Sequence, residues 1–350
     1  MERRNSPWKR GFERFARNRA ALFCAVVLAV IVTAEASAAL PEQVLVGGVP
    51  FGVKFYSDGI VVIGFREIET ADGKRIPAYE AGLRVNDIIT KVNGEAVKTS
   101  AELMKQIGVG GEVEITYLRN GNEGTVRFTP MCDPADGKHK TGMWVRDTMA
   151  GIGTLTLVVP GSGAFLGLGH GICDSDTGEL LKMERGTVVD VRISGITKGL
   201  PGDPGEIRGY FTSDRSGVLL GNTDCGVYGI LTDLPDEIED SETVAVASRN
   251  EVHPGDATIW CTLDDGEPKQ YSIRIDDIRR DSTDNRSFSI TVTDHDLIEK
   301  TGGIIQGMSG SPIMEDGKLI GSVTHVLVND PTRGYGIFID NMLEILEPVA

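Results

Sequence analysis

Two glycine-framed segments hold the residues best suited to bond-breaking chemistry: QGMSGSP at 306–312 and GHG at 169–171. A serine between glycines is either a nucleophile on a tight turn or only the turn. To attack an acyl carbon it needs a base for the hydroxyl proton and a third group to hold that base. It also needs N–H donors for the oxyanion. Gly307, two residues before Ser309, permits a turn that aims the N–H groups of Gly307 and Ser309 into one pocket. Ser311 precedes Pro312, which biases it toward extended backbone. Its expected role is loop packing, and Ser309 is the expected nucleophile.

The base must come from five histidines. His139 lies in a polar stretch, His253 opens the turn-like HPGD, and His295 sits between Asp294 and Asp296. His325, on an apolar strand, reads as a satisfied core or rim residue. His170 closes the apolar run FLGLGHGI, where glycines on both sides let the backbone turn and expose an imidazole in a cleft. His170 is therefore the expected general base. The acid stays open on spacing alone. Asp214 and Asp224 suit a site between two barrels, while Asp294 and Asp296 could be ordinary solvated acids. HExxH is absent and the His, Cys and Asp residues form no compact ligand set, so no metal or other cofactor is expected.

The elements around these residues are mostly short strands. From GIGTLTLVV to GYGIFI, about 200 residues alternate strand candidates with turns, without helix-length periodicity between them. That pattern predicts a closed antiparallel barrel or a pair of barrels. Before them, 45–65 holds two apolar strand candidates split by Ser57-Asp58-Gly59. Then come a short helix from Pro77 to Ala81 stopped by Gly82, a strand at 87–92 and an Asn93-Gly94 turn. A helix capped at Thr99 or Ser100 follows, with Leu103, Met104 and Ile107 on its apolar side. The hairpin GEVEITYLRNG–NEGTVRFTP ends the unit.

Ala81-Gly82-Leu83, Asn86-Asp87-Ile88-Ile89, Val92-Asn93-Gly94 and Leu118-Arg119-Asn120-Gly121, in that order, resemble a bacterial PDZ domain. The family more often has Gly where Asn86 stands. The resemblance implies capture of an extended chain or a carboxyl terminus by strand addition beside the second helix. The expected peptide-binding loop is Gly48, Val49, Pro50, Phe51, Gly52 and Val53. A PDZ fold that only docks on its neighbouring domain is the alternative.

The segments 151–190 and 302–343, with the motifs above, resemble the SpoIVB sporulation peptidase family over nearly the whole chain. That resemblance implies a chymotrypsin-like double β-barrel behind a PDZ-like α+β domain. It matches His170 to the family's general base, Ser309 to its nucleophile and Asp294 to its aspartate. It also implies a serine endopeptidase that processes itself and cleaves a membrane-bound regulator of an intramembrane metalloprotease. Such cleavage triggers a late sigma factor, after export across the forespore inner membrane into the intermembrane space.

Charge and composition agree with export. Residues 1–20 carry seven Lys or Arg against two Glu, so the formal charge of -16 leaves -21 for the rest. An acidic body disfavours nucleic acid as a partner. The basic start leads into ALFCAVVLAVIVTA and the small residues Ala36-Ser37-Ala38, the layout of a secretory signal or a retained membrane anchor. The five cysteines give no disulfide framework or zinc spacing, and buried free thiols are expected. The expected division is 1–40 flank and export segment, 45–130 PDZ-like domain, 131–140 linker and 141–350 peptidase domain. The competing function is a non-enzymatic PDZ-containing envelope scaffold. A metallohydrolase is a weaker third reading.

Overall fold

The computed structural model describes residues 41–346 apart from 71–72, 174–177, 179, 182, 240 and 265. The export segment and its Cys24 lie outside the described residues. Among the described residues no helix is long and apolar enough to cross a membrane.

The chain opens with β1 (Gln43–Val46) and a long β2 (Pro50–Phe65). A small α+β unit follows: β3 (Ile68–Thr70), β4 (Gly73–Arg75), α1 (Pro77–Glu80), β5 (Ile88–Val92), β6 (Glu95–Ala96), α2 (Ser100–Gly108), β7 (Val113–Arg119) and β8 (Asn122–Phe128). Its local chemistry matches the sequence. Thr99 caps α2 in a full capping box with Glu102. Asn93-Gly94 and Asn120-Gly121 turn with positive φ at all four residues. Asn86 has φ 72, a left-handed position that asparagine tolerates and glycine fills most easily. Ile60, Leu83, Ile89, Leu103, Ile107 and Ile115 form the unit's core. Met104, expected on the apolar side of α2, is half exposed instead.

The stretch expected as a linker pairs β9 (Met131–Cys132) with β10 (His139–Lys140) in a small ribbon. Next come β11 (Met143–Val158), β12 (Ala164–Gly167), β13 (Met183–Thr197), β14 (Glu206–Thr223), β15 (Gly226–Leu231), α3 (Asp236–Glu239) and β16 (Thr243–Ala245). With β1, β2, β5, β7 and β8 these strands form one large sheet in the order β16-β1-β11-β12-β15-β14-β13-β2-β5-β7-β8, and β2 also pairs with β11. The last part is a closed barrel of β17 (Gly255–Cys261), β18 (Lys269–Ile278), β19 (Phe288–Val292), β20 (Pro312–Glu315), β21 (Lys318–Leu327) and β22 (Asp330–Phe338). Between β19 and β20 lies α4 (His295–Thr301), and α5 (Ile339–Leu343) follows β22. Period-two alternation explains the barrel: in β18, Tyr271, Ile273 and Ile275 face inward while Ser272 and Arg274 stay outside.

The PDZ-like unit begins later than expected. Residues 43–54 pair with β11, β13 and β16, and Val49, Phe51 and Val53 are buried in the large sheet's own core. The supposed turn at 57–59 does not end a strand. In the pairing with β11, residues 57–60 stand opposite Asp147 alone, so the extra residues are absorbed as a bulge. Cys132, Cys173, Cys225 and Cys261 are free, as expected, but only Cys261 is buried.

Candidate active site

A cavity of about 510 Å³ contains both His170 and Ser309. His170 leaves β12 through Leu168 and Gly169, each with φ 67. Two consecutive left-handed residues turn the chain sharply, a conformation that costs a leucine energy. The turn sets the His170 ring toward the barrel: Nε2 lies 3.0 Å from Ser309 Oγ, and Nδ1 lies 2.8 Å from the Gly171 carbonyl. A carbonyl can only accept, so Nδ1 carries the hydrogen and Nε2 presents its lone pair to the hydroxyl. Burial holds the His170 pKa below its ordinary 6.5, while the Gly171 bond pulls the other way. The serine hydroxyl has a second acceptor, the Thr324 carbonyl at 3.0 Å.

Ser309 sits on the loop between α4 and β20. Gly307 and Gly310 have φ 98 and 94, and the Ser311 N–H closes the turn on the Met308 carbonyl at 2.9 Å. The Gln306 carbonyl accepts the Ile207 N–H at 2.8 Å, so in the planar trans peptide the Gly307 N–H points the opposite way. Among the described residues, neither the Gly307 nor the Ser309 N–H is spent on a backbone carbonyl. Ser311 is fully buried and its hydroxyl has no hydrogen-bond partner among the described residues.

The large sheet grips this loop through residues that sequence reasoning did not single out. Thr154 Oγ1 donates to the Gly307 carbonyl and Thr156 Oγ1 to that of Gly310, both at 2.8 Å. Asn222 braces the segment after His170, accepting from Ile172 N–H and donating to the Ile172 and Leu181 carbonyls. His325, read as a core or rim residue, lines the same cavity. Its position one residue after Thr324, on a strand that follows the serine loop, was the available clue.

The candidate acids separate clearly. Asp294 caps α4: its carboxylate accepts from Leu297 N–H at 3.0 Å and from Ser272 N–H at 3.2 Å. Among the described residues His170 bonds instead to Gly171 and Ser309, with no hydrogen bond to Asp294. An aspartate before an apolar helical turn closed by glycines is a capping position. Asp296 is exposed on α4 beside His295 and Glu299. The side chain of Asp214 lies outside the described residues. Asp224, in the turn between β14 and β15, lines the cavity with His170. Gly48, Val49, Pro50, Phe51, Gly52 and Val53, expected as a peptide-binding loop, lie in the large sheet or at its start. A Cβ on Gly52 would collide with Phe211 and Val189, so the backbone there is packed against the sheet's own side chains.

The PDZ domain model matches residues 57–129. A Haemophilus influenzae protein named "Probable periplasmic serine protease do/HhoA-like" is 39% identical over 59 residues, 16% of this chain and 13% of that protein. The chain thus spans only a small part of that relative's length. Among solved structures, the PDZ domain of an SdrC-like protein from Listeria monocytogenes is 24% identical, covering 25% of this chain and 87% of that one, with TM-score 0.21. The Rv3671c protease from M. tuberculosis, active form, is 13% identical, covering 58% and 75%, with TM-score 0.31. The HtrA-type protease AlgW with tripeptide is 16% identical, covering 57% and 55%, with TM-score 0.33. The SpoIVB peptidase S55 model matches residues 137–343, more than half of the sequence, and the chain belongs to that family.

Proposed function

We propose that this protein is a serine endopeptidase in which Ser309 attacks the substrate carbonyl while His170 Nε2 takes its hydroxyl proton. The N–H groups of Gly307 and Ser309 would receive the oxyanion. His170 then protonates the leaving amine as the C–N bond breaks. A water, deprotonated by the same nitrogen, hydrolyses the acyl-enzyme and restores the serine. One observation carries the reading: Nε2 of a neutral, largely covered His170 meets Ser309 Oγ at 3.0 Å, with Nδ1–H committed to a carbonyl. Asp224 is our candidate for the acid, because it is the described carboxylate of the four considered that shares the cavity.

We read the scaffold as a chymotrypsin-like double barrel. What supports the first barrel is the pairing path β2–β11–β12–β15–β14–β13, which returns to β2. Family membership supports the wider role: export across the forespore inner membrane, self-processing, and cleavage of a membrane-bound regulator of an intramembrane metalloprotease, so that a late sigma factor is activated. The basic, then apolar, amino-terminal sequence suits that export.

A serine-directed fluorophosphonate tests the chemistry. Covalent labelling of the full chain that is lost in Ser309→Ala and in His170→Ala is expected. Labelling that survives Ser309→Ala would place the nucleophile elsewhere, and a wild-type chain that neither labels nor hydrolyses any protein would favour a non-enzymatic scaffold.

A further inference from the structure

We propose that His325 is a positioning residue for His170, its ring packing against the imidazole so that Nε2 stays directed at Ser309. The inference rests on the reading of His170 as the base. The two rings lie with centroids 5.1 Å apart and planes inclined by 37°, and both residues line the cavity. His325 follows Thr324, whose carbonyl accepts from Ser309 Oγ at 3.0 Å, so β21 touches both partners of the serine–histidine pair. The other support for His170 is the bond from Nδ1 to the carbonyl of Gly171. That acceptor belongs to the adjacent residue and moves with the same backbone, so it anchors one nitrogen and leaves the tilt of the ring free. A flat neighbour from another strand removes that freedom.

The partner ring must also be uncharged. A cation beside His170 would oppose its protonation at the moment it accepts the serine's hydrogen, whereas a neutral π-face favours an imidazolium. His325 meets that requirement. Burial, reinforced by the nearness of His170 and Arg286 and opposed by Asp284, holds its pKa at about 4. Its Nδ1 is sealed from solvent without a hydrogen-bond partner among the described residues, so no bond to that nitrogen accounts for a histidine here. The groups facing it are His170 across the contact, Arg286 and Asp284 in the β18–β19 segment, and Asp224 and Cys173 across the cavity.

The test compares His325→Ala, His325→Gln and His325→Phe in the full chain, by steady-state kinetics against pH on a cleavable protein or peptide. Loss of the ring is expected to lower kcat on the order of 10- to 100-fold with KM little changed, as misorientation of a reacting group does. It should also move the acid limb of the profile to higher pH, because water reaching His170 relieves the burial that depresses its pKa. Phe should recover most of the lost kcat and return the acid limb toward wild type. Gln carries the test if Ala does not fold, as judged by thermal melting. Unchanged kcat and acid limb in the ringless variants, or a Phe variant as impaired as Ala, would overturn the proposal. Ser309→Ala is run alongside: activity retained there defeats the reading of the site, whereas an inactive Ser309→Ala beside fully active ringless variants defeats only the role of His325.

Discussion

Thr154 holds the Ser309 loop twice, its N–H donating to the Ser309 carbonyl at 2.9 Å and its Oγ1 to the Gly307 carbonyl at 2.8 Å. Both bonds cross from the large sheet to the loop before the barrel's β20, so the candidate oxyanion donors are set by a residue of the other sheet. Thr154→Val keeps the shape and the N–H but removes the hydroxyl donor. It should cost about 1 kcal/mol of stability and lower kcat more than it raises KM. A urea melt and a kcat/KM series check this.

Gly310 faces a stricter constraint. It has φ 94, and a Cβ there would overlap the Thr154 carbonyl oxygen and the Leu168 backbone nitrogen. Gly310→Ala should therefore separate the serine loop from the histidine loop, with a loss of about 3 kcal/mol or more. Fluorophosphonate labelling should vanish together with the cooperative melt. Wild-type labelling of a stable Gly310→Ala variant would contradict the close packing.

The two cavity histidines give a pH dependence with a definite sign. His170 lies below 6.5 and His325 at about 4, both because burial penalises the charged ring. A base that stays neutral below pH 6.5 keeps the acid limb of kcat/KM under the ordinary histidine value. For stability, the unfolded chain binds these protons first as pH falls. The contribution is complete above about pH 6.5 and is lost as pH falls through the folded values toward 4. Reduced for solvent screening at its partial exposure, His325 supplies about 1 to 2 kcal/mol. Thermal melts at pH 7 and pH 4.5 should show the lower midpoint at the acidic value.

Asp224 and Asp294 separate by substitution. Asp294→Ala removes a helix cap and should cost about 1 kcal/mol while kcat stays near wild type. Asp224→Asn should leave the melt almost unchanged and lower kcat by about 10-fold or more. The reverse pattern in a paired assay of melting and turnover would return the acid's role to Asp294.

In the PDZ-like unit, Arg119 meets the fully buried Asp87 through two bonds of 2.7 Å, and Arg84 N–H adds a third at 2.8 Å. Removing one side of such a pair strands the other. Asp87→Ala should destabilise the unit by about 3 kcal/mol, read as a lower melting midpoint with loss of protection in amide exchange at β5 and β7.

Local chemistry made much of this legible in the sequence. Thr99 with Glu102, Asn93-Gly94 and Asn120-Gly121 each fix a cap or turn within a few residues, and the structure keeps all of them. His170 and Ser309 stood out because glycines on both sides of a lone polar residue imply an exposed turn. Long-range pairing was not legible. Ser57-Asp58-Gly59 reads as a strand break, yet it is a bulge whose partner lies about 90 residues away on β11, so residues 50–54 of that strand belong to the large sheet and not to the PDZ-like unit. His325 looked like a core or rim residue because it lies on an apolar strand, which does not reveal the ring across from it. Asp294 carried its capping signal in its own place just before the first turn of α4, a helix that Gly302 closes.

The paired strands β2 and β11 also recast what the PDZ-like unit is. Phe65 pairs with Met143, and the pairing continues to Pro50 and Thr154, beside the serine loop. Residues 66–142 are therefore one elaborate connection between two arms of a single hairpin rooted in the peptidase. Trimming that connection to a short turn is the natural way to ask what it contributes, because Phe65 and Met143 are already adjacent. Cutting the chain at either end of it would instead unzip a hairpin whose far end holds Ser309.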